Sequence, residues 1–248
     1  FRSTPNPPEP VAPAPAKDAA PPAPPAPPPF DAAKVLPLKA ELRYKIYQGG
    51  DRFYLGAMVT ALTIADGRYT LRNTFQGKGL AALFLSGEWY QQSEGTVDAA
   101  GLRPEHFVER KGKKEPSEAR FDWAAQRLTL TGGRVLPLPD KTQDMVTFTY
   151  QFAVDPPARG EIRFPFTNGR KLDHYVYDVV GQEDVETPVG KVHALHLSKR
   201  HGAGEEGTEI WLDVDNHYLP VMVRQLAADG STQGEQIVES IVVKETPP

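Results

Sequence analysis

The sequence predicts a mainly β protein, built as a strongly curved antiparallel sheet or an open or closed barrel of roughly a dozen strands. Three observations point there. From Ala40 onward, apolar residues recur at every second position, the spacing of a strand with one buried face. Glycine- and asparagine-containing turn signals separate these runs, and all 21 glycines lie after residue 29. No series of helical patterns alternates with the strands, which argues against a parallel α/β fold. A sheet of so many strands manages its edges by curling or by closing on itself.

The leader differs from everything after it. Residues 1–29 hold 13 of the 25 prolines, no glycine and, apart from Phe1, no aromatic residue. So few large apolar side chains cannot offset the chain entropy by burial, so a disordered arm of polyproline II character is expected. At ~3.1 Å per residue it would extend to roughly 90 Å, as a spacer from a membrane or as a plain leader. Residues 30–248 are long enough for one core and are expected to form a single antiparallel β domain.

The strands follow in order. "ELRYKIYQ" alternates Leu42, Tyr44 and Ile46 against Glu41, Arg43 and Lys45, and Gly49-Gly50-Asp51 turns the chain into "YLGAMVTALTIA". Asp66-Gly67 is a two-residue type I′ signal leading into "RYTLRNTFQ". Then come "LAALFLSGEWY", "GTVDAAGL", "EHFVERKG", "EARFDW" and "RLTLTGG". The basic cluster Arg110-Lys111-Gly112-Lys113-Lys114 is centred on glycine and reads as a hairpin tip rather than a phosphate patch. Asn168-Gly169 joins "EIRFPF" to "KLDHYVYDVV", again with a type I′ signature. "KVHALHLSKR", "TEIWLDVD", "LPVMVRQLA" and "EQIVESIVVKE" complete the series. One segment reads two ways. "QDMVTFTYQFAVDPP" alternates Val146, Phe148, Tyr150, Phe152 and Val154 as a strand would. It also offers Asp144 as an N-cap, Met145, Phe148 and Phe152 on one helical face, and Pro156 as a stop.

Composition narrows the function. A formal net charge of −4 gives no electrostatic reason to bind nucleic acid or an anionic membrane surface. The absence of cysteine removes thiol catalysis, disulfides and cysteine-rich zinc sites. The longest apolar run, Leu80 to Leu85, is far short of the ~20 residues of a membrane helix. The chain starts at Phe1 rather than methionine, so a signal or anchor segment upstream of residue 1 is expected.

Each chemical motif has a plainer reading. In "GTEIWLDVDNHYLPVMV", Glu209, Asp213, Asp215 and His217 cluster beside Trp211, yet Asp215-Asn216-His217 is turn chemistry and the rest is a hairpin. His193 and His196 are three apart, which on a strand sends them to opposite faces. Gly190-Lys191 precedes Val192 rather than Ser or Thr, and there is no G-x-S-x-G or H-E-x-x-H. No catalytic residue, metal or cofactor is therefore expected. What remains is aromatic: Tyr44, Tyr69, Phe75, Phe84, Phe164, Tyr175 and Trp211 on strands, with Phe148 and Phe152 in the disputed segment. They form either a filled core or the lining of a concave face that takes an acyl chain or similar apolar ligand.

Several stretches carry a resemblance in their order. These are "LRYKIYQGG", "YTLRNTFQGKGLAALF", "SEGTVDAAGLRPEHF", "ARFDW", "LPLPDKTQDMVTF", "ETPVGKVHALHL" and "TEIWLDVDNHYLPVMV", spanning Leu42 to about Val243. The chain resembles the bacterial family of domain of unknown function 3108. That resemblance implies an exported, periplasm-facing envelope protein of a kind often preceded by a hydrophobic segment and a proline-rich spacer, with either a cleaved signal or an inner-membrane anchor upstream of residue 1. It implies no established activity, and it favours one short helix at Asp144–Ala153. More loosely, the pattern is similar to lipoprotein-carrier and lipid-binding half-barrels, a likeness of fold alone. The leading expectation is a monomeric, non-enzymatic β domain that binds a lipid-like ligand or an envelope protein. The alternatives are a tethered structural or interaction module, and a hydrolase working on envelope glycan or lipid through carboxylates on facing strands.

Overall fold

The computed structural model describes residues 36–79, 89–157 and 160–244. The proline-rich leader, the run Leu80–Leu85 and with it Phe84 lie outside the described residues. Among those described, fifteen strands form one sheet in two meandering wings. The first wing holds β1 (Lys39–Gln48), β2 (Phe53–Ala65), β3 (Arg68–Gly77), β4 (Trp89–Asp98), β5 (Gly101–Lys111), β6 (Ser117–Asp122), β7 (Arg127–Leu130) and β8 (Val135–Pro137). The second holds β9 (Gln143–Asp144), β10 (Glu161–Thr167), β11 (Leu172–Thr187), β12 (Gly190–Lys199), β13 (Gly207–Asp213), β14 (Leu219–Leu226) and β15 (Thr232–Lys244). Antiparallel pairing of β1 with β15 joins the wings, so the order runs from β8 down to β1, then from β15 down to β9. The sheet is curved but open, with β8 and β9 as its edges. Every neighbouring pair is antiparallel except β9 with β10.

Local chemistry places most of the turns. Asp66 and Gly67 both take positive φ, 51° and 70°, as a type I′ hairpin requires. The basic cluster forms the β5–β6 tip, with Gly112 at φ 60°. The stretch Gly207–Val223 is a hairpin of β13 and β14, its turn held by the Asp213 carboxylate accepting the Asp215 N–H at 3.0 Å. Where two strands were read across "GEWY" and "GTVD", β4 is continuous, and the bulge lies across from it on β5, where Glu105 is skipped opposite Glu94 and Gly95. A Cβ on Gly95 would lie 2.1 Å from the Arg103 carbonyl, so this crossing of β4 and β5 admits only glycine.

Two expectations need correction. The Asn168-Gly169 connection is not a two-residue type I′ turn: four residues separate β10 from β11. The Asn168 side chain accepts the Arg170 and Lys171 N–H groups, forming an Asx turn. A tertiary contact shapes it. Gly169 packs on the backbone of Ser117 and Glu118, and its carbonyl accepts the Thr131 N–H at 2.9 Å, bringing this turn against the far wing.

The helix, α1, spans Phe148–Val154 rather than starting at Asp144. Asp144 belongs to β9, and its carboxylate accepts the N–H groups of Val146 and Thr147 at 2.9 and 3.0 Å, turning the chain before the helix begins. The alternation that read as a strand has a tertiary cause. Tyr150 and Ala153 pack into the larger apolar cluster, with Leu42, Tyr44, Leu62, Leu71 and Phe107 of the first wing and Leu219, Val221 and Val238 where the wings join. Phe148 and Phe152 pack into that of the second wing, with Phe164, Phe166, Tyr177, Leu197 and Ile210. A helix wedged between two walls needs apolar residues on two faces, which blurs its 3.6-residue period. Each fully buried leucine in these clusters contributes about 1.5–3 kcal/mol.

Candidate functional site

Above the helix the wings do not meet. They enclose a cavity of about 670 Å³, inside the ~300–1,000 Å³ range of ligand pockets. Strand register explains its first wall. Tyr44, Met58, Phe75 and Trp89 are successive partners across β1, β2, β3 and β4, so they form one row on one face. The Phe75 and Trp89 rings lie 4.6 Å apart. The adjacent row, Leu42, Thr60, Asn73 and Gln91, is mostly polar. Thr60 Oγ1 donates to Asn73 Oδ1 at 2.7 Å, Asn73 Nδ2 to Gln91 Oε1 at 3.3 Å, and Gln91 Nε2 to Glu109 at 2.7 Å.

The opposite wall comes from β10 and β11, where Phe166 stacks on Tyr175 with centroids 4.1 Å apart and Tyr177 stands beside them. Phe148 connects floor to wall, 5.7 Å from Phe166 and 6.3 Å from Tyr177. Between the walls, Ile46, Gln236 and Val223 form another cross-strand row facing inward. At the floor the hydroxyls of Tyr44, Thr60 and Tyr150 converge. Tyr44 donates to the Pro220 carbonyl at 2.6 Å, whereas Tyr150 has no well-formed hydrogen bond. Burial drives the Tyr44, Tyr150 and Tyr177 phenols upward in pKa, so all stay neutral.

A second polar group braces the site from below. Asp144 is fully buried, and burial lifts its pKa to about 6 against the opposing pull of hydrogen bonds from Ser93 and the 146–147 backbone. Ser93 Oγ donates to Asp144 Oδ2, and Tyr69 Oη lies 3.0 Å from Ser93 Oγ. Because Ser93 commits its proton to Asp144, Tyr69 donates to Ser93. Nearby, Gln143 donates to the Leu102 carbonyl, and Gln151 accepts the Leu102 N–H while donating to the Ala100 carbonyl. Side-chain amides thus join the β9–α1 segment to the opposite wing where no strand pairing does.

Of the aromatics singled out from sequence, Tyr44, Phe75, Phe148 and Tyr175 line the cavity. Phe152 and Phe164 form the packed layer beneath it, 6.2 Å apart. Tyr69 sits in the filled core of the first wing. Trp211 belongs elsewhere. It lies on the face of β13 opposite Ile210 and Leu212, stacked on His196 at 4.2 Å, with its indole N–H donating to Glu183 at 2.6 Å. His193 is on the other side of β12 beside Asp184, so the two histidines face apart. Trp89, Tyr150, Phe166 and Tyr177 line the cavity without having been singled out. Tyr177 shares parity with Tyr175 and was readable from the strand; Trp89 needed the register.

Residues 43–236 match the family described as protein of unknown function (DUF3108). The chain belongs to the DUF3108 family. The architecture of this DUF3108 chain is similar to that of a β-barrel-like DUF1849 protein from Brucella abortus, at 12% identity and a TM-score of 0.52. That match covers 84% of this chain and 98% of the other. A putative exported protein with a YmcC-like fold from Bacteroides fragilis aligns at 12% identity and a TM-score of 0.35, over 82% of this chain and 95% of its own. The hypothetical lipoprotein YmcC of Escherichia coli aligns at 8% and 0.33, over 88% and 89%. No curated protein matches this DUF3108 chain. The Brucella likeness shows shared fold.

Proposed function

We propose that this DUF3108 chain is a non-enzymatic β domain of the bacterial envelope that holds an apolar or amphipathic ligand between its two wings. The supporting observation is the cavity itself: about 670 Å³, walled by Phe75, Trp89, Phe166 and Tyr175 and floored by Phe148. Apolar walls with a few convergent hydroxyls and amides are how ligand pockets combine affinity with orientation. The carboxylates favour this reading over a hydrolase. Among the described residues, Glu235 alone contributes a carboxylate to the lining, and it lies 2.9 Å from Arg52 and 3.1 Å from Arg224. Glycosidase-type chemistry needs two carboxylates flanking the scissile bond. The envelope assignment, periplasm-facing and tethered upstream, rests on the family resemblance and on the proline-rich composition of residues 1–29, proposed as a spacer to the single domain that follows.

Native mass spectrometry of the purified protein, followed by solvent extraction, tests the ligand. An extractable apolar compound at near-stoichiometric yield is expected. A Met58→Trp variant, which fills the cavity from β2, is expected to lose it while keeping its β circular-dichroism spectrum. If the wild-type protein carries no such compound and binds no added amphiphile, the proposal fails.

A further inference from the structure

The cavity's polarity is made almost wholly of neutral groups. Lysine and arginine are missing from its lining among the described residues, and the one carboxylate, Glu235, is held by Arg52 and Arg224. Another carboxylate, Glu109, accepts from the lining Gln91 and is paired with Lys111 at 3.1 Å. What lines the space instead is a set of amides, Gln48, Gln91, Gln225, Gln233, Gln236 and Asn73. Gln236 is the informative one. It is half-buried between Ile46 and Val223, and its side-chain amide hydrogen-bonds to no other described residue. At the floor the buried Tyr150 hydroxyl has only its poorly aligned contacts with the Tyr44 and Thr60 hydroxyls. A buried hydroxyl so placed gains from a ligand's hydrogen bond, and the half-buried Gln236 amide, facing the cavity, has its donors and acceptor available for one.

We infer that the cavity selects uncharged amphiphiles: an apolar chain against the aromatic walls, joined to a neutral headgroup rich in hydroxyl or amide groups. Among the lining residues themselves an ionised phosphate or carboxylate would find no cation, and two carboxylates, already neutralised by arginine and lysine, lie nearby. The cations closest to the walls are Lys199, 4.2 Å from the Tyr175 ring, and Lys111 and Arg52, which stand over Trp89 and Tyr47 and are already paired with Glu109 and Glu235. Burying an unpaired charge is far more costly than burying a bonded neutral group. A glutamine amide both donates and accepts, matching a hydroxyl in either sense. This inference rests on the proposal that the cavity holds a ligand.

Calorimetric titration with chain-matched amphiphiles below their micelle concentrations separates the two. The probes are 1-dodecanoylglycerol, dodecanoate and dodecyltrimethylammonium at pH 8. The neutral compound is expected to bind at least about tenfold more tightly than either ion. Gln236→Lys places a cation on the inner wall and is expected to raise dodecanoate affinity while lowering that for the glycerol ester. Equal or tighter binding of dodecanoate by the wild-type protein overturns charge selection and leaves the cavity reading standing. Binding of none of the three removes the cavity reading itself.

Discussion

Ser93 Oγ donates a hydrogen bond to Asp144 Oδ2 at 2.5 Å, tying the middle of β4 to the short edge strand β9 across the interior. Both residues are fully buried. The contact holds the start of the helical segment against the opposite wing, and it carries a pH dependence.

Burial raises the Asp144 pKa from 3.8 to about 6. The folded state therefore binds this proton more tightly than the unfolded chain does. Its contribution to stability is complete below about pH 4 and is lost as pH climbs past 6, a difference on the order of 3 kcal/mol. Asp144→Asn keeps an oxygen for the Val146 and Thr147 N–H groups but cannot ionise. Urea unfolding at pH 4 to 8 is expected to show the variant gaining on wild type as pH rises. Parallel curves would remove Asp144 as the titrating group.

The aromatic floor divides into a supporting layer and an exposed one. Phe152 is 3% exposed and packs on Phe164, whereas Phe148 is half-buried at the cavity. Phe152→Ala is expected to cost about 3–5 kcal/mol. Phe148→Ala is expected to cost less and to alter ligand affinity. Denaturant midpoints, read beside a binding isotherm, check both; reversal of the order would place Phe148 in the structural layer.

Gly169 takes φ 82°, and a Cβ there would stand 2.9 Å from the Glu118 nitrogen; Gly230, at φ 81°, has open space. Alanine at Gly230 is expected to cost only the left-handed penalty of about 1–2 kcal/mol. Alanine at Gly169 adds the clash and loosens the contact between the far ends of the two wings. Hydrogen exchange at Thr131, whose N–H is donated to Gly169, is expected to speed up in Gly169→Ala alone.

Trp211 and Phe75 stand on different faces and should separate cleanly. Trp211→Phe loses the bond to Glu183, at a cost of about 0.5–1.5 kcal/mol, and leaves amphiphile binding unchanged. Phe75→Ala is expected to weaken binding by about tenfold or more. A binding defect in Trp211→Phe would mean that the outer face takes part.

The alternation of Leu42, Tyr44 and Ile46 and the Asp66-Gly67 turn were readable because both are local: side-chain parity and backbone conformation need no distant partner. Parity also showed that His193 and His196 face apart and that Trp211 opposes Ile210 and Leu212. Parity does not say which face is inside, and that is why Trp211 read as a cavity candidate. Between Val146 and Val154 the local pattern misled, since a helix buried on two sides alternates much as a strand does. The Asn168-Gly169 turn took its shape from Ser117, Glu118 and Thr131, more than thirty residues upstream.

By itself, then, the order of residues determined a mainly antiparallel β architecture, most of its hairpins and the family, because strand periodicity, turn chemistry and motif order are written along the chain. The tertiary structure alone decided where α1 begins, which aromatics share a space and that the space is unfilled. Those depend on how far apart the two wings stand. That separation is set by contacts such as Ser93 with Asp144 and Thr131 with Gly169, whose free energy comes from residues far apart in sequence and has no signature in any short stretch.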